Sequence, residues 1–235
     1  MKLKKIISRS VIVGFAATVA IIAYYTWELR AAYQYTIDRV LPLEIHADYP
    51  LQVSSLTERQ LDILLKIEDP KFFEHMGIDF STPGAGITTI TQGLVKHIYF
   101  DKFKSGIAKI KQSLIARYVL DPLMSKEMQL RRFINTVYLG SKIRGFEQAA
   151  NYYFNKKFEQ LNEDQYITIV AMIIAPTTFS IEKHPKRNKD RVTRIKQVIK
   201  GEYKPKGLCD LYYGRLDQET QQNLAPFSYF ESYYE

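Results

Sequence analysis

Cysteine is almost missing from this chain. Cys209 is the only one in 235 residues, so no intrachain disulfide can form and the redox compartment stays unread. Histidine is scarce as well, with four copies, and no His/Cys/Asp grouping has the spacing of a built metal site. Paired runs of alternating apolar and polar residues are absent, as are internal repeats, which argues against β-sandwiches, barrels and solenoids. Acidic residues are outnumbered, 25 against 33 Lys plus Arg, leaving a net charge of +8. That surplus favours an anionic partner: nucleic acid, phospholipid headgroups or a phosphate-bearing substrate. With 46% hydrophobic and 25% charged residues the chain suits a globular protein with one sizeable core.

What is present begins at the N-terminus. Residues 1–10 carry Lys2, Lys4, Lys5 and Arg9, and the seventeen residues from Val11 to Trp27 hold no charge. That length reaches the lower edge for a membrane-spanning helix, with Tyr24, Tyr25 and Trp27 where an aromatic belt lies. The positive flank predicts a cytoplasmic N-terminus, and a cleaved signal peptide is the alternative. No small-x-small cleavage site follows the run, which favours a retained anchor. Either way the bulk of the chain works outside the cytoplasm, where nucleic acid is a poor partner.

Residues 28–54 read as a stalk, 55–200 as one helical domain and 201–235 as a tyrosine-rich tail with no assigned element. Ser55 and Glu58 form a capping box for a helix with Leu61, Leu64, Leu65 and Ile67 on its apolar face. That helix stops at Glu68–Asp69, because Pro70 disfavours helical geometry in the residue before it. The segment "STPGAGITTITQGL" cannot be one amphipathic helix. Ile107, Ile110 and Leu114 share a helical face; Met128, Leu130, Phe133, Ile134 and Val137 share another, closed by Gly140. Asn162 with Gln165 opens a helix running to Pro176, and Asn188 caps a last one containing Val192, Ile195 and Ile199. The fold class is therefore all-α.

The stretch "IEDPKFFEHMGID" carries Glu68, Asp69, Phe72, His75 and Gly77, and "GITTITQGLVKH" carries Gly86, Thr88, Thr89, Gln92 and Lys96. A lone Glu-Asp pair at a helix end is usually polar surface. In this order and company the segments resemble glycosyltransferase family 51, the peptidoglycan glycosyltransferase module of class A penicillin-binding proteins and monofunctional transglycosylases. The resemblance covers roughly residues 55–200. It implies a lysozyme-like helical domain with a small membrane-facing lobe, behind one transmembrane helix in the bacterial cytoplasmic membrane. It also implies that Glu68 is the general base that takes the proton of the acceptor 4-hydroxyl, with Asp69 holding the local hydrogen bonds. Phe72, His75, Thr88, Thr89 and Gln92 then shape the cleft. The family usually has more than the eight residues found here between Gly77 and Gly86.

In the third motif the pattern Arg-Lys-x-x-Glu stands here as Ala108, Lys109, Ile110, Lys111, Gln112. Lys109, with Lys96, keeps cations for the donor pyrophosphate. Gln112 occupies the second carboxylate's place and can exchange no proton. In the fourth motif Asn135 and Gly140 are kept while Arg131 replaces a Glu. The fifth region keeps Gly145, Ala149, Ala150, Tyr153 and Phe154, where helix packing is a sufficient explanation.

Lys96, Lys102, Lys104, Lys109 and Lys111 cluster around "HIYFDKF", either as a solvated face or as a patch that meets headgroups or pyrophosphate. His184, Pro185 and the run "KRNKDR" read as a solvated helix start. The implied activity is polymerisation of lipid II into glycan, with no built-in cofactor; any Mg²⁺ or Mn²⁺ is held by the donor pyrophosphate. The implied partners are lipid II, nascent glycan, the membrane, and cell-wall synthesis or division proteins. Gln112, Ala108 and Arg131 keep open a scaffold that binds lipid II without turnover. A lysozyme-like hydrolase is a further alternative.

Overall fold

The computed structural model describes residues 2–103 and 106–224. Lys104 of the basic cluster and the last part of the tyrosine-rich tail lie outside the described residues. Among the described residues the chain is all helical, with no strand and a single bridge between Tyr138 and Arg144.

Helix α1 (Lys2–Tyr35) does not break at Trp27. It passes through a π-helical turn, Thr36–Val40, into α2 (Leu41–Ile45). The run Val11–Ile45 is long and apolar enough to cross a membrane, with mean hydropathy 1.5 over its most apolar window. A bilayer core needs only about 20 residues, so its C-terminal half can serve another purpose. That half is not a free stalk. Glu28 pairs with Lys111 at 2.5 Å, and the Thr36 hydroxyl meets the Tyr99 hydroxyl at 2.6 Å.

The domain follows as α3 (Glu58–Glu68), α4 (Ile90–Tyr99) and α5 (Ile107–Ile115). A π-helical turn, Ala116–Leu120, runs α5 into the short α6 (Asp121–Leu123). Then come α7 (Lys126–Thr136), α8 (Phe146–Phe154), α9 (Glu163–Val170) and α10 (Pro185–Ile199). The short α11 (Gln218–Gln222) closes the described chain. Ile63, Leu64 and Ile67 of α3 pack in the core with Leu130, Ile134, Phe146, Tyr166 and Ile195. Each fully buried aliphatic side chain contributes about 1.5–3 kcal/mol by leaving water.

Several expected boundaries shift. Thr57, not Ser55, caps α3, its hydroxyl accepting from Gln60 N while Gln60 Oε1 accepts from Thr57 N. Ser55 instead accepts from Gln52 N in the preceding turn. The Asn162–Gln165 box forms as expected, but α9 ends at Val170 and the chain turns before Pro176. Asn188 caps nothing: it lies within α10, buried, donating to the Thr168 and Phe179 carbonyls. Helix α7 ends at Thr136, and Gly140 sits in the loop beyond it at φ +82°. Ile107 and Ile110 do share a face of α5, yet that face is exposed, while Gln112 and Ile115 point inward.

Candidate functional site

Pro70 ends α3 where expected, and Glu68 is its last residue. Glu68 keeps part of its surface open but is otherwise enclosed by protein. Burial pushes its carboxyl up to about 7, with Arg191 of α10 opposing the rise and Asp69 adding to it. A carboxyl so placed accepts a proton near neutral pH, which an exposed one at its ordinary 4.5 does poorly.

Asp69 is buried and fully occupied. Its carboxylate accepts from Ile90 N at 2.9 Å, at the start of α4, and from His75 Nε2 at 2.9 and 3.0 Å. Gly77 N donates to His75 Nδ1 at 3.1 Å, so the ring proton sits on Nε2 and points at Asp69. Phe72 is fully buried beside His75, beneath the Lys126 ammonium at 4.7 Å. Gly77 adopts φ +84°, and a Cβ there would meet the Ala116 carbonyl at 2.5 Å. Only glycine permits that approach of the first motif to the end of α5.

Thr89 caps α4 and donates to the Gly77 carbonyl at 2.8 Å, joining the two motifs. Gln92 closes the same capping box; it is fully buried and donates to Ser113 at 2.8 Å. Thr88 is exposed, and its hydroxyl accepts from Lys109 Nζ at 2.7 Å. Lys109 is brought down to about 8 by burial and by Lys96; Lys96 falls to about 8 through burial and lies 5.3 Å from the Phe103 ring. Two hydrogen bonds thus tie Asp69, the residue after Glu68, to the stretch 88–90 and that stretch to Lys109.

Two of the expected residues, Gln112 and Asn135, make hydrogen bonds that tie one backbone segment to another. Gln112 is 1% exposed and donates to the Gln92 carbonyl at 2.6 Å, leaving Oε1 without a partner. A carboxylate there would face that carbonyl. Gln112→Glu is therefore expected to lower stability by about 1–3 kcal/mol at pH 8 and by less at pH 5, where a protonated acid can donate; paired thermal melts check it. Asn135 grips the chain before the domain: its side chain accepts from Leu51 N and donates to the Leu51 and Arg131 carbonyls.

Sequence reasoning missed Arg191, Tyr166, Tyr213 and Glu44, the last of these in a separate ion cluster. Arg191 is 3% exposed, not solvated; its spacing to Ile195 and Val198 marked the buried face of α10. Tyr166 and Tyr213, both buried, complete the surroundings of Glu68. Glu44 is fully buried, accepting from Arg132 at 2.8 Å, Arg131 at 3.4 Å and the Tyr49 hydroxyl at 3.1 Å. Among the described residues no group of three or more His, Cys, Asp and Glu is placed to hold a metal ion. Surface depressions of about 350 Å³ against α10 and about 460 Å³ along α3 are lined by none of the expected site residues.

A family described as Transglycosylase matches residues 44–200, well over half of the chain. Penicillin-binding protein 1F of Bacillus subtilis (strain 168) is 30% identical over 167 residues, 66% of this chain and 23% of that protein. Penicillin-binding protein 1B of Escherichia coli (strain K12) is 29% identical over 163 residues, 62% of this chain and 19% of that protein. Penicillin-binding protein 4 of B. subtilis is 28% identical over 189 residues, covering 73% and 30% respectively. The chain spans less than a third of the length of these relatives.

Proposed function

Since this chain belongs to the transglycosylase family, glycosyltransferase family 51, we propose that it is a peptidoglycan glycosyltransferase that polymerises lipid II. In this reading the acceptor 4-oxygen attacks the anomeric carbon of the donor and gives its proton to Glu68. The bond from that carbon to the pyrophosphate breaks, and polyprenyl pyrophosphate leaves. A single direct displacement inverts the anomeric centre. Lys109 and Lys96 neutralise the departing charge, and Thr88 holds Lys109 in place. Gln112 supports the Gln92 backbone rather than moving a proton.

The observation that carries this reading is the placement of Glu68 at the enclosed end of α3, where burial pushes its carboxyl up, next to an Asp69 bonded to the stretch whose Thr88 accepts from Lys109. Two lysines and a hydroxyl make a poor ligand set for a divalent cation, so Mg²⁺ or Mn²⁺ would arrive on the pyrophosphate. Membrane attachment through α1, with the domain on the outer side of the cytoplasmic membrane, brings the site to its lipid-linked substrate. Cell-wall synthesis or division proteins are the partners this placement implies.

The test is incubation of the detergent-solubilised protein with labelled lipid II and a divalent cation, reading glycan polymer on gels. Polymer supports the reading. Tight lipid II binding with no polymer sinks it in favour of a non-catalytic scaffold, which the uncharged Gln112 favours. The pH profile adds a sharper expectation. Glu68 must be deprotonated, so kcat/KM should rise through about pH 7; Lys96 and Lys109 must be protonated, so it should fall above about pH 8. A flat profile from pH 6 to 9 contradicts these roles.

A further inference from the structure

Residues 203–215 lie beyond the family match, yet they are fitted against the site. Gly84 N donates to the Gly207 carbonyl at 2.9 Å and Gly86 N to the Leu208 carbonyl at 3.1 Å. Both glycines have positive φ, and a Cβ would meet Pro205 at 2.7 Å or Leu211 at 2.6 Å. The loop between the first two motifs and this segment are therefore shaped to each other. Helix α10 rivets the other side. Arg194 donates to the Tyr212, Gly214 and Arg215 carbonyls at 3.2, 3.1 and 2.8 Å, and Arg191 to the Leu211 carbonyl at 2.8 Å. Asp210 fixes the turn, accepting from Lys206 N, Gly214 N and the Tyr203 hydroxyl.

This framework holds Tyr213 at φ +55°, a left-handed conformation that a tyrosine adopts only when its surroundings demand it. Its ring stacks on the Arg191 guanidinium at 4.9 Å, and its hydroxyl donates to the Ile67 carbonyl at 3.2 Å. Ile67 is in the last turn of α3, where carbonyls lack helical partners, and Glu68 is the next residue. Tyr213 thus grips both the backbone that carries Glu68 and the cation that faces it.

We infer that residues 203–215 form a strap that completes the catalytic site, with Tyr213 as a positioning residue that holds Glu68 and Arg191 in register. This rests on the catalytic reading of Glu68. The strap acts through the Ile67 carbonyl and the guanidinium rather than by touching substrate. The groups facing Glu68 are Asp69 beside it, Arg191 from α10, Tyr166 from α9 and Tyr213 from the strap.

Full-length variants assayed with labelled lipid II test the inference. Tyr213→Phe keeps the ring and loses the hydroxyl; kcat is expected to fall about tenfold with KM within twofold. Tyr213→Ala also opens the wall to water, so kcat falls further and the acid limb of kcat/KM moves to lower pH. Arg194→Gln loosens the strap without touching Glu68 and should lower kcat in the same way; with Tyr213→Phe it carries the test if Tyr213→Ala does not fold. Folded variants with wild-type kcat and an unmoved acid limb overturn the inference. If the wild type itself forms no polymer, the catalytic reading fails separately. The strap is then judged by ¹³C-carboxyl NMR titration of Glu68, assigned with Glu68→Gln. Movement toward the ordinary carboxylate range in Tyr213→Ala supports it, and an unmoved titration overturns it.

Discussion

Glu68→Gln is expected to abolish polymerisation, with a loss of about a thousandfold, and to make the folded protein more stable at pH 8. The amide is close in shape to the protonated acid but cannot accept a proton. The stability gain follows from the raised carboxyl. In the folded chain Glu68 holds its proton up to about pH 7, whereas the unfolded chain releases it near 4.5. Between those values the folded state binds more protons, so its stability falls as pH rises through the window. The difference corresponds to about 3 kcal/mol, trimmed to about 2–3 by the part of Glu68 that reaches solvent. Above pH 7 the variant escapes that cost; below pH 4.5 the two proteins should match. For a domain of this size the gain is roughly 4–10 °C in midpoint at pH 8. Melts at pH 8 and pH 4.5 decide it: an equal difference at both pH values, or retained polymerisation, defeats the assignment.

How far the sequence reached depended on the range of the contact. The break at Pro70 is local, and it placed Glu68 at the end of a helix. The cap of α3 is also local, but two candidate boxes overlap there, Ser55 with Glu58 and Thr57 with Gln60. The second puts Leu56 and Leu61 at the positions of a hydrophobic staple, and both are wholly or partly buried. That signal separates the boxes. The π-helical continuation of α1 and the exposed apolar face of α5 escaped periodicity, which reveals a face but not what covers it. Gln92, Gln112 and Asn188 are polar and so read as functional or capping; burial, which no local pattern announces for a polar residue, adds that each is enclosed and hydrogen-bonded inside the protein. Tyr213 and Ile67 stand 146 residues apart, so no local pattern could join them.

The ion cluster of Glu44, Arg131 and Arg132 carries the second large effect. A lone buried carboxylate is among the costlier defects a core can hold, and Glu44 has no exposed surface. Arg131→Ala/Arg132→Ala leaves it without a cation, with only the Tyr49 hydroxyl donating to it at 3.1 Å. The expected loss is about 3–5 kcal/mol. Glu44→Ala alone should cost less, because both guanidiniums keep about a fifth of their surface exposed, 20% and 24%, and can turn to water. Combining Glu44→Ala with the double variant should recover part of the loss, since no charge then remains buried; this non-additivity is the signature of a coupled site. Equilibrium unfolding in detergent measures all four corners. The location gives the cluster its consequence. Glu44 belongs to α2 at the end of the anchor's helical run, and the two arginines belong to α7, whose Asn135 also grips Leu51. The carboxylate that pairs with the two arginines of α7 thus comes from the anchor side. Releasing it should therefore free the anchor from α7 before the domain unfolds, seen as faster proteolysis near Arg39 in the double arginine variant. Unchanged cleavage there, together with a loss below about 1 kcal/mol, would show that the cluster is not the joint between anchor and domain.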